Sequence, residues 1–331
     1  MPQLRKDPVV DRWVIIAGER AARPQAQPQR VNAPESNACP FCAGNESMTP
    51  PAVLVFPGDA VSSEGSWSLR VVPNKYPALT ESAGSARRKD NLYDWRNATG
   101  VHEVVIETPR HIVDLASLGE KGIERLLQGY RERVLQLRTD PRWRYILVYK
   151  NQGTEAGATL SHSHSQITAL PIVPKGPLEE FEAAREYYSS AKQCIYCRII
   201  QSESENGARI VAESEQFLVF CPFASRVAGE TWIIPKRHES SFDLGTNADL
   251  SGLAHMLHDF LKRLALRFDE PSFNYFIHGN PVLELENPYY HWHLEILPKL
   301  QYVAGFEWGS GLFMNSLAPE DAARLLRDLA I

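Results

Sequence analysis

The residues of this chain best suited to chemistry are thiols and imidazoles, and they recur in a fixed order. Cys39 and Cys42 form a Cys-x-x-Cys pair, followed by His111 and then by the run His162-Ser-His164-Ser-Gln166. A second series runs Cys194, Cys197, His238 and His291-Trp-His293-Leu-Glu295. Two thiolates and two imidazoles are the usual complement of a closed tetrahedral zinc site, and thiolate ligands favour zinc over magnesium or calcium. The order predicts one site at Cys39, Cys42, His111 and His162 and another at Cys194, Cys197, His238 and His291. A full ligand set leaves no position for water, so such zinc is structural. The alternative is that the cysteines are free or redox-active and the histidines ordinary.

His164 is left over once four ligands are counted. On an extended segment alternate side chains share a face, so His162, His164 and Gln166 project together. With His162 fixed by metal, His164 is aimed, and a neutral, preorganised imidazole is a competent nucleophile towards phosphorus. Gln166 stands where its amide can donate to a phosphoryl oxygen as charge develops. Upstream, the run from Asn151 to Thr159, with Gly153 and Gly157, offers small residues and backbone N–H groups that could cradle phosphates. The competing reading makes His164 a further ligand or a packed core histidine. The second series is an internal control: Glu295 stands where Gln166 does, and a carboxylate there repels phosphate. One nucleophile per chain, in the N-terminal half, is expected.

These groups need elements to position them, and the elements repeat as well. Glu103 precedes His111 by eight residues, as Glu230 precedes His238; Asn151 precedes His162 by eleven, as Asn280 precedes His291. Such agreement argues for a duplication. The β-branched runs near residues 101–108 and 230–234 read as strands. After each single histidine comes a helical stripe, Ile123, Leu126, Leu127, Tyr130, Val134 and Leu137 in one copy and Leu253, Met256, Leu257, Phe260 and Leu264 in the other. Strands follow near 144–149 and 273–277, then the His-x-His segments lead into strands at 167–170 and 294–297. The expected fold class is α+β: two tandem domains, each a mostly antiparallel sheet with packed helices. The join falls in the Pro-rich segment after Leu170, giving a catalytic domain at 1–175 and a second at 176–331. A polar helix at 178–188 and a last helix from Pro319, burying Ala322, Leu325, Leu326 and Leu329, complete the reading. His102, His255 and His258 are placed on a solvated helix face or strand end, without a role.

The totals are permissive. The 331 residues are 44% hydrophobic and 23% charged, which allows a sizeable core. A net charge of −5 offers no global attraction to nucleic acid or to an anionic membrane. The N-terminal MPQLRKDPVV lacks the apolar core of a signal peptide and no run approaches 18 apolar residues. A soluble cytoplasmic protein is expected, with reduced cysteines.

The ordered set Cys-x-x-Cys, His, Asn, His-x-His-x-Gln over two copies resembles the galactose-1-phosphate uridylyltransferases, a branch of the histidine-triad superfamily, across nearly the whole chain. The resemblance implies histidine-triad-like domains and a ping-pong reaction. UDP-glucose gives UMP to His164, glucose 1-phosphate leaves, and galactose 1-phosphate takes the UMP. It implies Gln166 as the phosphoryl-contacting amide, Arg20 and Arg23 as an arginine pair near the phosphates, and Asn74 as a nucleoside contact, with Asn151 and Gly157 in the loop before the motif. Gly305-Phe306-Glu307 retains a Gly-aromatic-Glu pattern at the hexose site, while Gln301 replaces a family Lys. The implied partners are a nucleoside diphosphate sugar, a sugar 1-phosphate and a second copy in a homodimer. This chain carries His-Ser-His, not His-Pro-His. That motif and Gly-Phe-Glu-Trp-Gly-Ser-Gly are similar to the plant-type ADP-glucose phosphorylases, which pass AMP to phosphate through the same histidine chemistry and carry paired zinc sites. Some relatives build the second metal site from Glu and three His, which Glu180, His278, His291 and His293 could supply; with Cys194 and Cys197 present the thiolate set is preferred. Adenylyl transfer from ADP-glucose, a non-catalytic zinc-stabilised nucleotide-binding module and a nucleotide hydrolase stand as the other readings.

Overall fold

The computed structural model describes residues 2–17, 39–58, 67–81, 87–89, 91–284 and 286–329. Two short N-terminal strands, β1 (Gln3–Lys6) and β2 (Trp13–Ile16), lead to β3 (Leu54–Pro57) and β4 (Trp67–Pro73). A small hairpin of β5 (Arg87–Lys89) and β6 (Asp94–Arg96) precedes β7 (Val101–Ile106). Helix α1 (Gly119–Arg138) then connects to β8 (Tyr145–Gln152) and β9 (His164–Leu170).

The second half opens with α2 (Lys175–Ala191) and α3 (Ile195–Asn206), followed by β10 (Ile210–Glu213), β11 (Phe217–Phe220) and β12 (Thr231–Pro235). Helix α4 (Asn247–Phe268), β13 (Phe273–His278) and β14 (His293–Pro298) repeat the plan of the first half. Helix α5 (Gly305–Ser310), β15 (Phe313–Asn315) and α6 (Pro319–Arg327) end the described chain.

The repeat is visible in the sheet. Ten strands run β10-β11-β12-β14-β13-β8-β9-β7-β4-β3, so each half contributes five in mirrored order and β8 meets β13 at the centre. Every pairing in this sheet is antiparallel. The α+β class is therefore as read, but the halves share one continuous sheet. Their backbone hydrogen bonds cross the join from Phe273↔Gln152 to Ile277↔Val148.

One face of the sheet is covered by α1 and α4. All six residues of the predicted α1 stripe are buried, as are all five of the α4 stripe. Residues three and four apart on a helix share a face, so such stripes find a core only by lying on an apolar sheet. Helix α4 starts at a capping box: Thr246 Oγ1 accepts from Asp249 N–H (3.3 Å) and Asp249 Oδ2 accepts from Thr246 N–H (2.8 Å). Beneath the helices a single apolar cluster spans both halves, from Leu69 and Val71 on β4 to Leu294 and Ile296 on β14. Tyr130 of α1 and Tyr275 of β13 share a buried hydroxyl contact of 2.5 Å.

The chain ends also meet. β15 pairs in parallel with β2, and β2 in antiparallel with β1. Glu320 of α6 bonds both Arg5 and Arg209 at 2.9 Å. The sequence pattern does not announce this small sheet, because strands of three or four residues at opposite ends of the chain leave no periodic signal. The helix near 178–188 is longer than read, and the last helix buries Ala322, Ala323 and Leu326 with Leu325 at its edge. No helix of the described residues is long and apolar enough to cross a membrane.

The join between halves contains a buried ion pair. Arg138 at the end of α1 contacts Asp243 (Nε–Oδ2 2.7 Å) and donates to Ser241 Oγ at 2.7 Å and Val282 C=O at 3.1 Å. Removing one partner of a buried pair leaves the other charge uncompensated, a cost of about 3–5 kcal/mol. Arg138→Ala is expected to lower the unfolding free energy in urea by that amount. A loss below about 1 kcal/mol would mean that the pair contributes no more than a surface one.

Candidate active site

The first Cys/His group assembles from three places. Cys39 and Cys42 sit on a turn closed by Cys42 N–H to Cys39 C=O (3.3 Å) and by Asn45 Nδ2–H to the same carbonyl (2.8 Å). His111 follows β7 and His162 precedes β9. Cys42 Sγ lies 3.4 Å from His111 Nδ1 and 3.6 Å from His162 Nδ1, and Cys39 Sγ lies 3.5 Å from His162 Nδ1. With metal–sulfur and metal–nitrogen bonds near 2.3 and 2.1 Å, a tetrahedral site has S···N edges of about 3.6 Å. The donor spacing fits one such ion. The far ring nitrogens are also held: His162 Nε2–H donates to Thr108 C=O at 2.9 Å, and His111 Nε2 lies 3.3 Å from Ser161 Oγ. The carbonyl bond fixes the His162 tautomer that leaves Nδ1 free to ligate. Burial lowers the His162 pKa to about 4, so the ring is neutral.

The second group gathers the four residues read from the sequence, within 4.8 Å of one another. Cys197 Sγ lies 3.4 Å from His238 Nδ1 and 3.7 Å from His291 Nδ1. Its frame differs from the turn of the first group: Cys194 is the N-cap of α3, with Cys197 in the first turn. The positive end of the helix favours thiolate there. His238 Nε2–H donates to Asn287 C=O at 2.9 Å. His291 joins the thiolates, and the histidine-rich alternative takes a separate shape as Glu180, His278, His293 and Glu295.

His164 opens β9, opposite Ile106 of β7. Its Nδ1–H donates to the carbonyl of His162 at 2.8 Å. That bond places the ring proton on Nδ1 and leaves the lone pair on Nε2. Burial lowers the His164 pKa; the bond to the His162 carbonyl opposes this, and the nearby Lys150 cation adds to the lowering. The ring is held neutral, the form in which it is a nucleophile. Beneath it, Lys150 Nζ donates to His164 C=O at 3.0 Å, to Ser163 Oγ at 3.0 Å and to Glu107 at 2.8 Å. This fully buried pair clamps the backbone that carries His164.

A cavity of about 530 Å³ opens beside His164. Gln166, Asn74 and Gly157 line it with Phe41, Val72 and Val104. Gly157 has φ +91°, a left-handed conformation that a side chain would strain, so the loop depends on glycine there. Asn151 stands behind the loop and accepts from Asn274 Nδ2–H at 2.8 Å; Asn274 also donates to Ala156 C=O. The second half thus buttresses the first half's loop through β13. Glu307 lies apart from this cavity, in the first turn of α5, accepting from Ala304 N–H at 3.0 Å. Arg20 and Arg23 fall outside the described residues.

His102, placed at a strand end without a role, belongs to this site. Its Nε2 lies 2.7 Å from Gln166 Oε1, and Tyr149 O–H donates to the same oxygen at 3.0 Å. Neither residue was singled out, because their proximity to Gln166 comes from cross-strand pairing: Thr168 lies opposite His102 and Gln166 opposite Tyr149. His255, as read, is on an exposed helix face, 3.1 Å from Glu120.

The register also revises two of the sequence matches. Gln166 lies opposite Val104 and Tyr149, while its counterpart Glu295 lies opposite Trp232 and Phe276. His102 thus corresponds to Glu230 and Asn151 to His278, so the Glu103/Glu230 and Asn151/Asn280 matches do not survive. Glu103 instead pairs with Arg133 of α1 at 2.6 Å, on the helix-covered face. Where Val104 leaves room, Trp232 stacks on His293 with ring centroids 4.5 Å apart, and Tyr196 of α3 lies 5.1 Å away. Burial would raise the Glu295 carboxyl, but Arg226, His293 and His278 outweigh it and hold the pKa well below the carboxylate range. The second half carries a filled, anionic counterpart of the cavity.

Comparison with known proteins places the chain in a family. The family described as galactose-1-phosphate uridyl transferase, N-terminal domain, matches residues 1–174. The ADP-glucose phosphorylase of Arabidopsis thaliana is 37% identical, covering 100% of this chain and 93% of that protein. The galactose-1-phosphate uridylyltransferase of Thermotoga maritima is 30% identical, covering 100% and 99%. The crystal structure of the Arabidopsis phosphorylase with bound ADP-glucose superposes with a TM-score of 0.84 at 34% identity, covering all of both chains. The chain belongs to the galactose-1-phosphate uridyl transferase family and is a nucleotidyltransferase.

Proposed function

We propose that this enzyme moves a nucleoside monophosphate from a nucleoside diphosphate sugar to a phosphate-bearing acceptor through a covalent nucleotidyl-His164. His164 Nε2 attacks the α-phosphorus, forming an N–P bond as the bond to the departing hexose 1-phosphate breaks. An oxygen of the acceptor phosphate then attacks the same phosphorus and releases the imidazole. The observation that carries the reading is the orientation of His164, its Nδ1–H spent on the His162 carbonyl and its ring lining the cavity. Gln166 donates to the phosphoryl oxygen, Asn74 contacts the nucleoside, and Gly157 with Asn151 shapes the phosphate loop. Arg20 and Arg23 bring the phosphate-binding cations, and Glu307, which lies apart from this cavity, meets the hexose across the homodimer.

The uridylyl reading, UDP-glucose as donor and galactose 1-phosphate as acceptor, is supported by the family match and the Thermotoga relative. The adenylyl reading, from ADP-glucose to phosphate or a sugar phosphate, is favoured by the higher identity to the Arabidopsis enzyme. We assign zinc to both Cys/His groups on donor type and spacing, as a structural ion in each. The duplicated halves at 1–175 and 176–331 then carry one zinc apiece and one active site between them. A homodimer in the cytoplasm completes the proposal; the cysteines among the described residues are unpaired, as a reducing compartment maintains them.

Intact mass after mixing the protein with UDP-glucose or ADP-glucose, without acceptor, tests the mechanism. A gain of one UMP or one AMP, lost in acid and missing in His164→Ala, is expected, and the mass names the donor. A labelled His164→Ala protein would sink the assignment. The zinc assignment is tested by Cys39→Ser, which is expected to cut bound zinc from two per chain to one and lower the thermal midpoint, since metal binding is coupled to folding. Unchanged zinc in that variant removes the first site.

A further inference from the structure

A glutamine serves as a donor to phosphate only when its amide nitrogen faces the ligand. The two ends of the amide have nearly the same shape, so the choice between them is made by hydrogen-bond partners. Around Gln166 those partners converge. Oε1 accepts from Tyr149 O–H at 3.0 Å and lies 2.7 Å from His102 Nε2. What His102 offers there depends on its tautomer, and the backbone decides it. Ala78 N–H donates to His102 Nδ1 at 3.0 Å. A backbone N–H can only donate, so Nδ1 is the unprotonated nitrogen and Nε2 carries a proton. Two donors therefore meet on one side of Gln166, where only its oxygen fits.

Asn74 does not set this tautomer, because its own amide nitrogen also faces His102 Nε2. Its Oδ1 accepts from Tyr76 N–H at 2.9 Å, which turns its nitrogen to within 3.2 Å of His102 Nε2. The shorter approach of Gln166 Oε1, 2.7 Å, and the Ala78 N–H on Nδ1 outweigh that contact and leave the Nε2 proton to Gln166, with Asn74 lining the cavity beside it. In the second half the counterparts of His102 and Gln166 are Glu230 and Glu295, and Arg226 bonds both. The half with the filled site has lost the orienting donor together with the amide.

We propose that His102, fixed as the Nε2–H tautomer by the backbone of Ala78, is a positioning residue that with Tyr149 turns the Gln166 amide nitrogen towards the phosphoryl group at His164. The inference rests on the covalent reading above and deepens it. His102 acts through Gln166 and contacts no reacting atom.

The test is a double-mutant cycle on the full-length, zinc-loaded protein. Its readout is the single-turnover rate of nucleotidylation with whichever of UDP-glucose and ADP-glucose labels the wild type. Losing a preorganised donor to developing charge costs about 100- to 1,000-fold, and losing only its orientation costs less. His102→Phe is therefore expected to slow the saturated rate about 10- to 100-fold, with the donor concentration at half-saturation nearly unchanged. His102→Gln, which keeps a donor near Nε2, is expected to restore most of the rate, and His102→Glu, which presents an acceptor, to do worst. In a Gln166→Ala background His102→Phe is expected to have no further effect. Tyr149→Phe removes only a hydroxyl; it is expected to slow the wild type and leave Gln166→Ala unchanged, which keeps the test open should His102→Phe fold poorly. Losses that multiply in the double variants, or that appear only as weaker donor binding, overturn the proposal. A wild type that labels with neither donor overturns the covalent reading and this inference with it. Labelled wild type with multiplying losses overturns the inference alone.

Discussion

An imidazole attacks through whichever nitrogen lacks a proton, so the bond from His164 Nδ1–H to the carbonyl of His162 decides what this site can do. The bond runs between residues two apart and holds only if the backbone between them is held. Several features meet that demand. His162 is tethered on both sides, Nδ1 towards the cysteine sulfurs and Nε2 to Thr108 C=O. The next carbonyl but one, that of His164 itself, accepts from buried Lys150, whose charge is met by Glu107. From His164 onward the chain is a strand between two others, paired to β7 and β8 over most of its length. A central strand flanked on both sides has little freedom to shift register, because a one-residue slip would move every side chain to the other face.

The same strand geometry in the second half shows which parts of the arrangement are about stability. His293 Nδ1 lies 3.2 Å from the carbonyl of His291, and the Cys/His group before it is complete. What differs lies on the cavity side, where Trp232, Tyr196 and Tyr290 occupy the space and Glu295 faces Arg226. The scaffold is thus separable from the chemistry. A Cys/His group and an ordered His-x-His strand build the fold in both halves, and among the described residues an open wall with a neutral amide leaves a cavity beside the second histidine of the first half, where aromatic rings fill the space in the second.

Much of this was legible in sequence because it rests on short spacings. Cys-x-x-Cys, His-x-His and the α1 and α4 stripes are local patterns whose geometry follows from helix or strand period. What was not legible depends on register between segments distant in sequence. Glu103 and Glu230 agree by count, yet one faces α1 and the other faces Arg226. The shift is a single residue, which spacing between histidines that lie outside the strands cannot detect. His102 was overlooked for the same reason: its partner Gln166 is 64 residues away, and only the pairing of β7 with β9 brings them together. Glu307 illustrates a different limit. A family pattern names the residue, but here its carboxylate caps its own helix, away from the cavity beside His164.

The continuous sheet explains why a half without an open site is retained. Strand β8 carries Tyr149, Lys150 and Asn151, three residues that bond the Gln166 amide, hold the backbone of His164 and back the glycine loop. Were the first half alone, β8 would be an edge strand, free to fray or to pair with another chain. Strand β13 closes that edge from Phe273 to Ile277, and its Asn274 reaches across to hold Asn151 and the Ala156 carbonyl in place. The second half therefore contributes to the active site through the rigidity of β8. Its own site could be filled by aromatic side chains without loss to the first, because the feature the first half needs from it is a paired strand.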